Sequence, residues 1–353
     1  MDEQQQIEGN ILPAAAQPAG LDYWLGTISG RLMVINAVVF AAMSLKSGTL
    51  LLPTREVLLE FGAKDPAGLA LGEYWRFLSP VFVHVGIIHF LFNSLGLYYI
   101  GYQLERILGR RWFLLVYLMS GIAGNIASGV ATVVMSAGAS GALFGLLGSG
   151  YVLESMIGHR IEVMTGRRPR RRVYASMVFI NVVFGLVIPG IDNAAHMGGL
   201  LSGVVLTRVM LMLRPNRLRP ANKPMAYLSV LLFVLLCGIG FWKAVDPRAV
   251  VRRMENAAAG ASVAAQARFF LDQALRIYPD DRHLIVERIR VILMSEDPHD
   301  ALEDLRKLSG MTGGQEEIER LLEDFRREGL AKQQRFLELF LKPQPGSGES
   351  DAI

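Results

Sequence analysis

Through its first 245 residues the chain alternates long apolar stretches with short polar ones, and the apolar stretches have the length of membrane spans. No Asp, Glu, Lys or Arg occurs from Phe77 to Leu104, nor from Trp112 to Leu153. A hydrocarbon layer about 30 Å thick takes about 20 residues of helix. The second stretch therefore holds two spans if it turns near Met135-Ser136-Ala137-Gly138. Val173 to Ile191 and Pro224 to Trp242 supply two more, and Asn193 to about Leu213 another, with Arg208 near its inner end. Leu32 to Leu45 is shorter and becomes a span if Arg31 and Lys46 reach out to the two interfaces. The pattern predicts an all-α polytopic membrane protein with seven transmembrane helices.

Beyond about Val245 the pattern changes. Arg, Glu, Asp, Leu and Ala dominate, which predicts a soluble helical domain over residues 246–342. Ala257 to Ile277 and His283 to Met294 read as amphipathic helices joined by Tyr278-Pro279-Asp280-Asp281. Asp297-Pro298-His299-Asp300 breaks the next pair ahead of Ala301 to Leu308, and Gly313-Gly314 precedes a charged helix from Gln315 to Leu341. Helix, proline-bearing turn and helix resemble tetratricopeptide hairpins. A small bundle shielding a membrane face is the alternative. Residues 343–353 have the Pro, Gly, Ser and acidic composition of a disordered tail.

Charge adds orientation. The formal net charge of +4 would suit nucleic acid, but the basic excess sits in loops between spans, so no nucleic-acid partner is expected. Arg106, Arg110 and Arg111 lie in one loop; Arg160, Arg167, Arg168, Arg170, Arg171 and Arg172 in another; Arg214, Arg217, Arg219 and Lys223 follow the sixth span. The links around Ser136 and Gly190-Ile191-Asp192 are almost uncharged. Positive charge stays inside, which puts the basic loops and residues 1–24 in the cytoplasm and, with seven spans, the C-terminal domain outside. Arg55 and Lys64 run against this, adding charge to an external loop. Asp2, Glu3 and Glu8 make the N-terminus unlike a cleaved signal peptide. Cys237, the single cysteine, excludes an intramolecular disulfide and makes a metal–thiolate site improbable.

The candidate chemistry lies inside the apolar stretches. Polar groups at membrane depth are expensive, so a serine and a histidine there raise a functional hypothesis. Ser140, in Gly138-Ala139-Ser140-Gly141, opens an apolar helix whose unpaired N–H groups and dipole suit a developing oxyanion. His196, in Ala195-His196-Met197-Gly198-Gly199, precedes Gly203, and small faces on spans four and six would let their backbones approach. Packing glycines and an interhelical histidine hydrogen bond would account for either motif alone. No carboxylate stands near except Asp192, so a Ser–His dyad is the reading. His89 and Asn93, four apart, share a helix face and offer further oxyanion donors. Metal binding by His84, His89 and His196 is the rival, although on a regular helix His84 would stand about 140° from His89.

Together, His84-x4-His89-x3-Asn93, Gly138-x-Ser140-Gly141 and Ala195-His196-x-Gly198-Gly199-x3-Gly203 resemble the rhomboid intramembrane serine proteases. Glu73-Tyr74-Trp75-Arg76 is similar to the Trp-Arg element of that family's first external loop. Gly101-Tyr102-Gln103-Leu104-Glu105-Arg106 and Gly109-Arg110-Arg111 are similar to the end of its second helix and its inner loop. The resemblance covers roughly residues 25–214 and implies a six-helix protease core there, with residues 215–245 adding a linker and a seventh span. It implies Ser140 as nucleophile, His196 as general base and acid, and an oxyanion site of His89, Asn93 and the Ser140 N–H, supported by His84. Phe144 would pack on His196 where family members often carry tyrosine. The implied substrates are single-span membrane proteins, cut at small residues in or near the outer half of the span, with no cofactor and with the bilayer as environment. The implied place is the plasma membrane, the inner one in a bacterium, and the C-terminal domain is free to bind a protein partner. A non-catalytic relative that binds membrane clients, or a transporter using the three histidines, are the alternatives.

Overall fold

In the computed structural model, residues 24–156, 158, 162, 170–213, 223–295 and 297–342 are described. The N-terminal segment, most of the basic loop before Arg170, Arg214, Arg217 and Arg219, and the tail lie outside the described residues. The chain divides into two compact units, residues 1–246 and 247–353. Among the described residues there is no strand, only one isolated antiparallel bridge between Lys64 and Ser136.

In the first unit, α1 (Ile28–Ser47) is longer than its apolar stretch because Thr27 caps it and Gly48, in the left-handed region, ends it. Two short helices, α2 (Arg55–Glu60) and α3 (Pro66–Ala70), and two 3-10 turns (Tyr74–Phe77, Ser79–Phe82) follow. The second long helix begins only at α4 (Ile87–Gly96), continues through a π turn (Leu97–Gly101) and ends in α5 (Tyr102–Leu108). The expectation of a span from Phe77 is corrected here. Residues 77–86 are apolar because Phe77, Val81 and Val83 are buried in the protein, not because they are helix. Then come α6 (Arg110–Ala131), α7 (Ser140–Met156), α8 (Arg171–Val187), α9 (Asn193–Leu213) and α10 (Lys223–Val245).

Four of these, α1, α6, α9 and α10, are long and apolar enough to cross a membrane; α7 and α8 have 17 residues each. Helices α6, α7 and α9 form the centre, packed backbone to backbone. A Cβ at Gly199 would collide with the carbonyl of Gly141, and one at Gly203 with that of Gly145. A Cβ at Gly148 would lie 2.6 Å from the Leu200 carbonyl oxygen, and one at Gly124 2.6 Å from that of Ala195. Ser149 and Thr207 share a hydrogen bond across the same seam. Helix α10 packs on α6 and α9, and its Phe241 meets the rings of Tyr74 and Phe77 in the first 3-10 turn.

Glu105, just past the second apolar stretch, is helical and buried. Its carboxylate accepts from the N–H groups of Ile28 and Ser29, both at 2.8 Å, and so caps α1.

The second unit is a succession of helices: α11 (Pro247–Ala259), α12 (Ala264–Ile277), α13 (Arg282–Ser295), a 3-10 turn (Pro298–Ala301), α14 (Leu302–Ser309), α15 (Gly314–Arg327) and α16 (Ala331–Leu341). Two expected helices are each split. Gly260 ends the first inside the stretch from Ala257 to Ile277, and Gly329, at φ 72°, breaks the last. The core holds Leu271, Ile289, Leu305, Ile318, Leu321 and Phe325. Arg288 joins Asp272 and Asp304 at its edge.

Candidate active site

Ser140 is the first residue of α7, where the first N–H groups of a helix have no intrahelical partner. The turn ahead of it needs Gly138: φ is 131°, and a Cβ would run into the His89 ring. The Gly138 N–H donates to the Pro80 carbonyl at 2.8 Å, which ties the turn to the segment before α4.

His196 sits in the first turn of α9, and the glycine seam brings its Nε2 to 2.9 Å from Ser140 Oγ. Phe144, one turn beyond Ser140, lies flat on the imidazole, centroids 4.1 Å apart and planes within 9°. His196 Nδ1 has no hydrogen-bond partner among the described residues. An imidazole at this distance from a hydroxyl can take its proton, and a helix N-terminus can hold the negative charge that follows.

His89 and Asn93 lie one turn apart on α4. Val85 N–H donates to His89 Nδ1 at 3.3 Å, which assigns the ring proton to Nε2, on the Cε1–Nε2 edge that faces Gly138. Asn93 Nδ2 donates to the His89 carbonyl at 2.8 Å and keeps a second hydrogen for another acceptor.

A family model for the rhomboid domain matches residues 71–213. The rhomboid protease GluP of Bacillus subtilis is 37% identical over 177 residues, half of this chain and 33% of that protein. The rhomboid-family protein YdcA of the same strain is 38% identical over 142 residues, 40% of this chain and 69% of that protein. The chain belongs to the rhomboid family. The RHOMBOID-like protein 1 of Arabidopsis thaliana is 34% identical over 217 residues, 60% of this chain and 52% of that protein. The chain thus spans a third of GluP and about half of this plant rhomboid. With its apolar helices, this rhomboid is an integral membrane protein.

In this rhomboid the structure brings Ser140, His196, Phe144, Gly138 and His89 together, with Asn93 on the same face of α4 as His89. His84 is not on the helix, so the angle drawn from helical spacing does not apply. It is fully buried in the loop before α4, its ring edge-on to His89 at 5.5 Å and to Phe90 at 5.6 Å. Among the described residues no three His, Cys, Asp or Glu side chains form a group that could hold a metal.

Sequence reasoning missed the part played by Lys64. Read as a charge in an external loop, it is fully buried, and its ammonium bonds Ser128 beside Asp192. Its conflict with the charge rule was the available clue. Arg76 is the other organiser of this region, donating to the carbonyls of Leu59 at 2.7 Å and Ala63 at 2.9 Å and pairing with Glu73. Burial alone would raise the Asp192 carboxyl; the Lys64 ammonium, the Ser128 hydroxyl and the Ala195 N–H outweigh it and hold it below its usual value.

Proposed function

We propose that this rhomboid is an intramembrane serine endopeptidase that cleaves single-span membrane proteins in or near the transmembrane segment. The observation that carries the reading is the 2.9 Å approach of His196 Nε2 to Ser140 Oγ at the start of α7. Ser140 Oγ attacks the scissile carbonyl carbon while His196 Nε2 takes its proton and then passes it to the departing amine. Water next attacks the acyl carbon and gives a proton to His196, which returns it to Ser140 Oγ as the ester bond breaks and the acid product leaves. With Nε2 as acceptor the imidazole proton sits on Nδ1, and no carboxylate among the described residues accepts it, which fits a dyad. The Ser140 N–H, His89 Nε2 and Asn93 Nδ2 hold the oxyanion, with His84 backing the His89 ring. The names of relatives such as GluP support a protease.

The same reading gives seven spans, a cytoplasmic N-terminus in a bacterial inner membrane, and the second unit as an extracytoplasmic, tetratricopeptide-like domain that selects among substrates. The arginine-rich loops support the orientation.

The test is cleavage of a single-span reporter in proteoliposomes. Ser140→Ala and His196→Ala should abolish it in folded protein, and a serine-directed phosphonate should label wild-type Ser140. His89→Ala and Asn93→Ala should lower kcat about 10²–10³-fold with little change in KM, because oxyanion donors act on the transition state. Cleavage that persists in Ser140→Ala would reject the reading.

A further inference from the structure

The mechanism makes no use of Lys64, although this side chain has 0% exposure. Its Nζ donates to Ser128 Oγ, the Ser128 hydroxyl donates to Asp192 Oδ2, and the two charges stand 4.0 Å apart. Taking a charge out of water costs several kcal/mol, and a well-packed apolar residue in its place is often as stable or more so. Stability alone is therefore a poor account of the pair.

The connections of the cluster are more telling, because they end at both halves of the dyad. The backbone of Lys64 pairs in both directions with Ser136, N–H to carbonyl at 2.7 Å and carbonyl from N–H at 3.3 Å. Ser136 stands four residues ahead of Ser140. Asp192 Oδ1 accepts from the Ala195 N–H at 3.0 Å, and its carbonyl accepts from the His196 N–H at 3.1 Å, so Asp192 caps the helix that carries His196. Ser128 belongs to α6, on which Gly124 gives passage to the Ala195 carbonyl. One buried lysine thus holds the link leading into Ser140 through its backbone, and α6 and the start of α9 through its ammonium.

We infer that Lys64 and Asp192 are positioning residues: their buried ion pair, bridged by Ser128, clamps the segment before Ser140 to the first turn of the His196 helix. It thereby sets the Oγ–Nε2 distance. This rests on the reading of Ser140 and His196 as nucleophile and base. Neither Lys64 nor Asp192 touches substrate in this scheme.

The experiment uses the full chain in proteoliposomes, with Lys64→Met, Asp192→Asn and the double variant. Three quantities are read: kcat and KM on a single-span reporter, the rate of phosphonate labelling at Ser140, and thermal unfolding. A misplacement of about 1 Å at a reacting pair costs on the order of 10²-fold. Each single variant should lower kcat about 10- to 100-fold, slow labelling by a similar factor and leave KM within about twofold. The double variant should be no slower than the slower single one, because the pair acts as a unit. Removing one partner strands a buried charge, so a single variant that fails to fold is replaced by the double variant, which strands none. A folded double variant with wild-type kcat and labelling rate, beside an active wild type, overturns the positioning role alone. A wild type that neither cleaves nor labels overturns the dyad reading, and the positioning role with it.

Discussion

Around Gly141, Gly145, Gly199 and Gly203 the first unit sets backbone against backbone, whereas the second unit fills the space between its helices with Leu, Ile and Phe. The outer surfaces are reversed too. Large apolar side chains such as Phe92, Leu186 and Leu236 face outward from the first unit. The second presents ion pairs such as Arg290–Asp324, Lys307–Asp280 and Arg326–Glu338. The contrast is the one that a change of solvent produces. In water, burying apolar area is worth about 25 cal/mol per Å² and gathers side chains into a core. Between helices in lipid that drive is missing, and close backbone contact with a few interhelical hydrogen bonds takes its place. One unit should therefore be sensitive to an added methyl group, the other to a lost side chain.

The largest effect expected from this comparison is at the glycine seam. Gly199→Ala or Gly203→Ala places a Cβ on a carbonyl oxygen of α7, which a helix can relieve only by moving away. Reporter cleavage should fall below detection and the melting temperature should drop. Gly238→Ala on α10, where nothing lies within 4 Å, should leave cleavage intact and stabilise by about 0.5–1 kcal/mol through helix propensity. A Gly199→Ala protein that cleaves like wild type would end the close-packing account.

Next in size is Arg288→Ala in the second unit. It leaves Asp304, 4% exposed, without its cation and should cost that unit about 3–5 kcal/mol. Hydrogen exchange of amides in α12 to α14 would report the loss, while cleavage of a minimal transmembrane substrate should not change. If cleavage fell in step with the exchange, the two units would not be separable in function.

The smallest effect concerns acid. The folded state holds the Asp192 carboxyl below its ordinary value near 3.8, so the unfolded chain takes up the proton first. The stability that Asp192 provides is complete above about pH 4 and disappears as pH falls through the folded value. Melting curves of wild type and Asp192→Asn should differ at about pH 6 and converge below about pH 4. A gap that stays constant through that range would mean that the carboxylate charge contributes nothing.

Much of the first unit was legible because a span needs only length and apolarity, and α6, α9 and α10 have both. The start of the second span was not. Apolar content cannot separate a helix facing lipid from a loop buried in protein, and residues 77–86 are the latter. Ser140, His196 and His89 stood out because polar groups are rare in such stretches. Lys64 did not, since a lysine in a loop reads as solvated until its partner 128 residues later is brought beside it. In the second unit the apolar period runs on past Gly260 and Gly329, so only backbone geometry reveals the breaks.

The π turn at Leu97–Gly101 has a consequence for how one rod serves two addresses. Such a turn takes in one extra residue, which rotates everything after it by about 100° relative to an unbroken helix. Upstream, the rod aims His89 at the turn before Ser140; downstream, it aims Glu105 at the first amides of α1. Without the inserted residue, satisfying one end would swing the other out of phase. The added residue works as a gear between the turn before Ser140 and the cap of α1, letting each end keep its own heading along a single length of chain.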